Sequence, residues 1–164
     1  MRKRSAYRPR PVTVNAWQRA MIGAAKLPAA AVQMQTAIVR TAVEEFARGL
    51  HCAAHWLSLA DTANMTETLA AMRIGAGAQA DDIIERAQRA LHDVHQRHAQ
   101  RGTWTLYADE IDALQWLAQL HAVQLREVTR SEFEEAFTRT KNRLMGARAG
   151  NAPAGAIVIE GQIG

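Results

Sequence analysis

ADEIDALQWLAQLHAVQLREV, residues 108–128, decides the fold. Ile111, Leu114, Leu117 or Ala118, His121, Leu125 and Val128 recur at three- and four-residue intervals. On a helix of 3.6 residues per turn that spacing is one continuous face. An amphipathic helix must bury such a face against neighbours, and the flanking sequence supplies further helices. Immediately upstream, RGTWTLY (101–107) is β-branched and aromatic, a connector or a short extended piece. Before it, a helix opening on Asp81 and Asp82 carries Ile84, Ala87, Leu91, Val94 and His98 at a/d spacing and stops at Gly102. The two acids suit the positive end of the helix dipole.

Further upstream, LHCAAHWLSLADTANMTETLAAMRIG (50–75) places Cys52, Trp56, Leu59, Ala63 and Ala70 on one face, with Leu69 and Met72 beside it, and ends at Gly75 and Gly77. A helix over 29–48 has the stripe Val32, Val39, Val43, Phe46 and Leu50, with Pro28 in its first turn and Gly49 as C-cap. AWQRAMIGAAK (16–26) reads as a short helix capped by Asn15 and stopped before Pro28. Downstream, SEFEEAFTRTKNRLM (131–145) is a last helix capped by Thr129 or Ser131, closed by Gly146, its acids first and its bases last. Ser131 and Glu134 have capping-box spacing. The tail GNAPAGAIVIEGQIG (150–164) is too rich in glycine and small residues for a helix, and residues 156–160 form a strand only with a partner such as RGTWTLY or another subunit. The expectation is an all-α bundle of five to six helices. Residues 1–13 make an extended basic arm, 14–148 the helical domain and 149–164 a flexible tail.

With 48% apolar and 22% charged residues in 164, the chain has the composition of a globular domain able to bury a core. Its single cysteine, Cys52, excludes an intramolecular disulfide and a multi-cysteine zinc site, and points to a reducing compartment. No run reaches the length of a membrane span, and the basic start lacks the apolar core of a secretory signal. Pro9 and Pro11 also break the amphipathic helix of an organellar transit peptide. Charge is polarised to the ends. Residues 1–10 hold five bases and no acid, 11–135 eleven bases and fifteen acids, and 136–148 four bases and no acid.

The histidines are the residues to test for metal. His51 and His55 stand at i, i+4, the spacing that offers two imidazoles to one ion, but Cys52 follows the first where a metalloprotease helix needs Glu. His92, His95 and His98 are each three apart, so neighbouring pairs could share an ion but the arc is too wide for all three. No acid or thiol completes either set, so no metal and no cofactor are expected. His121 falls on an apolar face and reads as a hydrogen-bonded core histidine, and Cys52 as a core thiol. The carboxylate pairs Glu44–Glu45, Asp81–Asp82 and Glu134–Glu135 are adjacent residues that point apart, as solvated faces do. Trp56 and Trp116 are expected to pack, and Trp104 with Tyr107 to serve as core or as an aromatic contact. There is no nucleophile elbow, Walker loop or dinucleotide fingerprint, so an enzyme is not expected.

Arg8-Pro9-Arg10-Pro11 is held extended by its prolines. An arginine-rich arm of this kind neutralises phosphates, and Tyr7 offers a plane on which a base stacks. The candidate nucleic-acid contacts are therefore Arg2, Lys3, Arg4, Tyr7, Arg8 and Arg10, joined by Arg139, Lys141 and Arg143 at the other basic end.

KRSAYRPRPV at the start, HWLSLADTANMTETLA with Trp56 and Asn64, and DEIDALQWLAQLHAVQL with His121 and Gln124 together resemble a family of small uncharacterised proteins encoded by prophages and other mobile elements of Gram-negative bacteria. The resemblance spans 1 to about 140 and implies a cytoplasmic accessory role in a bacterial host. It supplies no catalytic residues. The expected function is that of a non-catalytic regulatory binding protein engaging nucleic acid, or a host protein complex bound to it, through the basic ends. The alternative is an inhibitor of a host enzyme or defence system that works through its acidic helical surface. A second copy of the chain is a further candidate partner, and a membrane is not.

Overall fold

Each apolar periodicity becomes a helix. The computed structural model describes residues 16–50 and 52–148, in which α1 (Ala16–Ala24), α2 (Ala29–Ala47), α3 (Ala53–Ala71), α4 (Ala80–Arg101), α5 (Ala108–Glu127) and α6 (Arg130–Arg148) follow in chain order. No strand forms among the described residues; Arg101 still belongs to α4, residues 102–107 are an irregular connector, and one isolated bridge joins Lys26 to Thr129. The arm, Asn15 and the 156–160 segment lie outside the described residues.

Helices α2 to α5 pack around one core, α6 lies on α3, and α1 touches only α6. The core joins Val39, Val43 and Phe46 of α2, Trp56, Leu59 and Ala63 of α3, Ala87, Leu91 and Val94 of α4, and Leu114 and Leu117 of α5. Leu117 is fully buried and Ala118 only half-buried, which resolves the alternative that the spacing left open. The Trp56 indole N–H donates to the Leu91 carbonyl at 2.9 Å, satisfying its polar atom inside the core. A smaller core of Met65, Leu69, Ile74, Val128 and Ala136 seats α6 on α3.

Several expectations are corrected. Leu50 and Cys52 lie at the α2–α3 corner and are exposed, because α2 ends before the stripe reaches them and Cys52 is the residue preceding α3. Trp116 is 52% exposed, since it sits on α5 away from the Leu114–Leu117 face. Thr129, not Ser131, caps α6: its N–H and hydroxyl donate to Glu132, lowering the Glu132 pKa, while the Ser131 hydroxyl donates to the Gly23 carbonyl.

The end of α3 also departs from expectation. The chain leaves the helix through Arg73, whose φ of 66° is left-handed, and not through a glycine. The Ile74 N–H returns to the Leu69 carbonyl and the Arg73 N–H to the Ala70 carbonyl, with Ile74 buried behind them, a Schellman turn. Gly75 follows at φ 59°, where an added Cβ would stand 2.7 Å from Cγ of Gln124. Gly75→Ala is expected to lower stability by more than about 1 kcal/mol through backbone strain and this clash. Gly77→Ala, facing open space, leaves it nearly unchanged. Arg73→Gly relieves the left-handed strain and raises stability by about 1 kcal/mol. Chemical denaturation of the three variants measures all three effects.

Candidate interaction surfaces

Sequence reasoning placed function at the basic ends, and the structure divides the C-terminal set. Arg139 is exposed and paired with Glu135 of its own helix at 2.5 Å. Lys141 is exposed. Arg143 turns inward: one terminal nitrogen meets Glu67 at 2.6 Å, and the other donates to the backbone carbonyl and side-chain oxygen of Asn64. Arg139 and Arg143, four residues apart, share a face of α6, and Lys141 points away from both. They do not form one basic patch, and the Arg143 guanidinium is engaged in holding α6 to α3. Arg2, Lys3, Arg4, Tyr7, Arg8 and Arg10 lie outside the described residues.

Around Arg143 runs a buried polar seam that no sequence motif announced. The Thr140 hydroxyl donates to that of Thr68 at 2.7 Å, and the Thr68 hydroxyl donates to the Asn64 carbonyl. Across α3 the Gln124 amide donates to the carbonyls of Thr66 and Ile74, and Nδ1 of His121 lies 3.0 Å from the Thr66 hydroxyl. His121 is thus the hydrogen-bonded core histidine that the sequence suggested. Burial lowers its pKa from 6.5 to about 4, so it is neutral at pH 7.

Three other histidines face aromatic rings. His98 stacks on Trp104 with centroids 4.0 Å apart, His95 lies 4.9 Å from Trp56, and His55 meets the edge of Phe46 at 6.2 Å. The His92 ring hydrogen-bonds Gln96, and His51 lies outside the described residues. Among the described residues no group of three or more His, Cys, Asp or Glu is gathered as for a metal ion. No described helix is long and apolar enough to cross a membrane.

Apolar side chains left in solvent are the more informative feature. Helix α1 buries no residue, yet shows Trp17 (72% exposed), Met21 (57%) and Ile22 (49%). It is held at its C-terminal end by Ser131 to the Gly23 carbonyl, the Arg130 N–H to the Ala25 carbonyl, and Lys26 to the Glu127 carbonyl. On α5, Trp116 and Val123 stand out, and on α6 Phe137 and Met145. The signal for these was present in the sequence as apolar residues off the core stripe.

No family model, curated protein or solved structure matches the chain. The surfaces above therefore carry the functional reading alone.

The folded His121 takes up a proton only near pH 4, whereas the unfolded chain does so near 6.5. Lowering the pH through that window favours the unfolded state. The stability lost is on the order of 3 kcal/mol by pH 4. Urea denaturation as a function of pH should show this fall in the wild type and a flatter profile in His121→Gln.

Proposed function

We propose that the protein is a non-catalytic binding protein that grips nucleic acid with its N-terminal segment, the basic arm together with α1. The observation that carries this reading is that α1 displays Trp17, Met21 and Ile22 while burying nothing, directly after an arm with five bases and no acid in its first ten residues. A helix of nine residues is too short to be stable alone in water. Tethered at one end, it presents its apolar side chains outward. Phosphate neutralisation by the arm and stacking of a base on Trp17 or Tyr7 are complementary parts of one grip on an unpaired strand. The accessory role in the cytoplasm of a bacterial host, which the sequence resemblance implies, suits such a protein.

The second reading, a protein-interaction factor, is favoured by a different observation. Trp116 is exposed on α5, where Asp109, Glu110, Asp112 and Glu127 stand against Arg126 alone, and Phe137 is exposed just after Glu132, Glu134 and Glu135 in the first half of α6. In that case α5 and α6 are the working surface, and the arm has another role.

Salt titration of binding to a labelled single-stranded oligonucleotide separates the two. The wild type should bind at low salt, with affinity falling by about 0.7 decades per decade of salt for each phosphate contact. Deleting residues 2–10, or changing the five bases to glutamine, should remove most of that dependence and leave the melting temperature unchanged. Trp17→Ala should cost about 1–3 kcal/mol of binding if a base stacks there. No binding at low salt gives first place to the protein-interaction reading.

A further inference from the structure

The residues that anchor α1 lead directly into a groove. Gly23 and Ala25 hold the helix to Ser131 and Arg130. Leu27, two residues on, stands at the start of a groove of about 600 Å³ along α2 and the end of α5, a volume within the range of ligand pockets. Leu27, Val32 and Ala37 give it apolar lining and Gln33, Arg40 and Arg126 polar lining, with no carboxylate among the lining residues. Other grooves of the bundle mix arginines with acids. The α3–α4 groove has Glu67, Asp81 and Glu85, the α4–α5 groove Asp93, Asp109 and Glu110, and the second α2–α5 groove Glu44. Arg126 is exposed and forms no ion pair among the described residues. Its neighbour Glu127 is turned to the Gly75 N–H at 3.1 Å. Arg40 meets Glu44 at 3.5 Å with both side chains in solvent, a contact that costs little to open.

We infer that this groove seats a nucleotide of the strand that the arm and Trp17 grip. The inference rests on the nucleic-acid reading and extends its site beyond α1. Trp17 lies about 9 Å along α1 from Gly23, and residues 24–27 join that helix to the groove. A strand stacked on Trp17 therefore finds the groove within reach of its next nucleotides. The base lies against Leu27, Val32 and Ala37. The Gln33 amide, both donor and acceptor, meets the base edge. The phosphate meets Arg126 and Arg40, whose planar donor forks match its oxygens. Two guanidiniums with no acid in the lining, continuous with the α1 anchor, select a nucleotide as the occupant where apolar lining alone would not.

Fluorescence anisotropy with labelled oligothymidylates of increasing length, at low and rising salt, tests the groove. Arg126→Gln should weaken binding about tenfold and lower the salt slope by about 0.7. Ala37→Leu fills the groove with a good helix former that has no plane for stacking. It should weaken binding comparably and leave the salt slope unchanged. Both losses should appear only with oligonucleotides long enough to span α1 and the groove, while the shortest ones bind the variants as they bind the wild type. Arg101→Gln removes the same charge at the far end of α5 and should leave affinity nearly unchanged, since salt screens a distant charge. Arg126, Ala37 and Arg101 are all exposed, so thermal melts of the variants should match the wild type. If the arm deletion and Trp17→Ala weaken binding but both groove variants bind long strands like the wild type, the groove inference is overturned and the grip stands. An Arg101→Gln loss equal to that of Arg126→Gln also overturns it, because the charge then acts only through the general field. A wild type that binds no strand at low salt removes both the grip and the groove.

Discussion

A helix packed against four neighbours has little solvent face on which to leave its polar side chains, and α3 is such a helix, with Leu57 and Asp61 among the few residues it leaves in solvent. It touches α2, α4, α5 and α6, and Thr62, Asn64, Thr66 and Thr68 are buried along with its apolar residues. Each polar group must find a partner in the interior, because a buried donor or acceptor left unsatisfied costs on the order of 1–3 kcal/mol. The partners are specific. Thr62 and Thr68 turn back to carbonyls of their own helix, Thr66 pairs with His121, and Asn64 receives Arg143. Those pairings fix the rotation of α5 and α6 around α3 more tightly than apolar packing alone, since a polar pair tolerates little displacement.

The same constraint divides the molecule into two levels of cohesion. Helices α2 to α5 share the large core, so removing any one of them opens a cavity in it. Helix α6 is joined to α3 by a small core, one hydroxyl pair and the half-buried Arg143–Glu67 bridge. Helix α1 packs on α6 alone, tied by the Ser131 hydroxyl to the Gly23 carbonyl, with the turn after it held by the Arg130 N–H and by Lys26. Opening is therefore expected to begin at the periphery, with α1 before α6 and both before the core. The helix with the most exposed apolar side chains is also the one held least, which suits a segment that rearranges on a partner.

Helix number and order were legible because apolar spacing at 3.6 residues survives in α2, α4 and α5. Leu114, Leu117, Leu91 and Val94 all sit where their spacing put them. In α3 the pattern was only partly legible: burial around most of the helix blurs the stripe, and the polar residues that complete its interior look like surface ones in the sequence. Trp116 was misjudged for the converse reason. Size and aromaticity argue for burial, but its angular position on α5, about 100° from Leu117, argues against it, and position prevailed. The inward turn of Arg143 was not legible at all, because it depends on Asn64 and Glu67, which lie nearly eighty residues away in the chain. The αL exit at Arg73 was hidden by the nearby glycines that would have served the turn without strain.

Electrostatics complete the separation between what holds the fold and what faces outward. Five of the ion pairs, Arg40–Glu44, Arg86–Asp82, Arg89–Glu85, Arg130–Glu134 and Arg139–Glu135, lie within single helices at i, i+4. Such exposed pairs contribute only about 0.2–0.5 kcal/mol each and join no two elements. Among the described residues two pairs cross between elements. Arg143–Glu67 clamps α6, and Arg97–Glu110 clamps the α4–α5 connector, where Arg97 also donates to the Thr105 carbonyl and covers the Tyr107 ring. The helical body thus consumes much of its own charge locally and relies on two arginines to tie helices together. The five bases of residues 1–10 stand before the first helix in a stretch without a single acid, so no local pairing of the kind seen in the body is open to them. A like-charged segment of this kind carries a positive field of its own, and the proposed grip rests on that segment and not on the total charge of the chain.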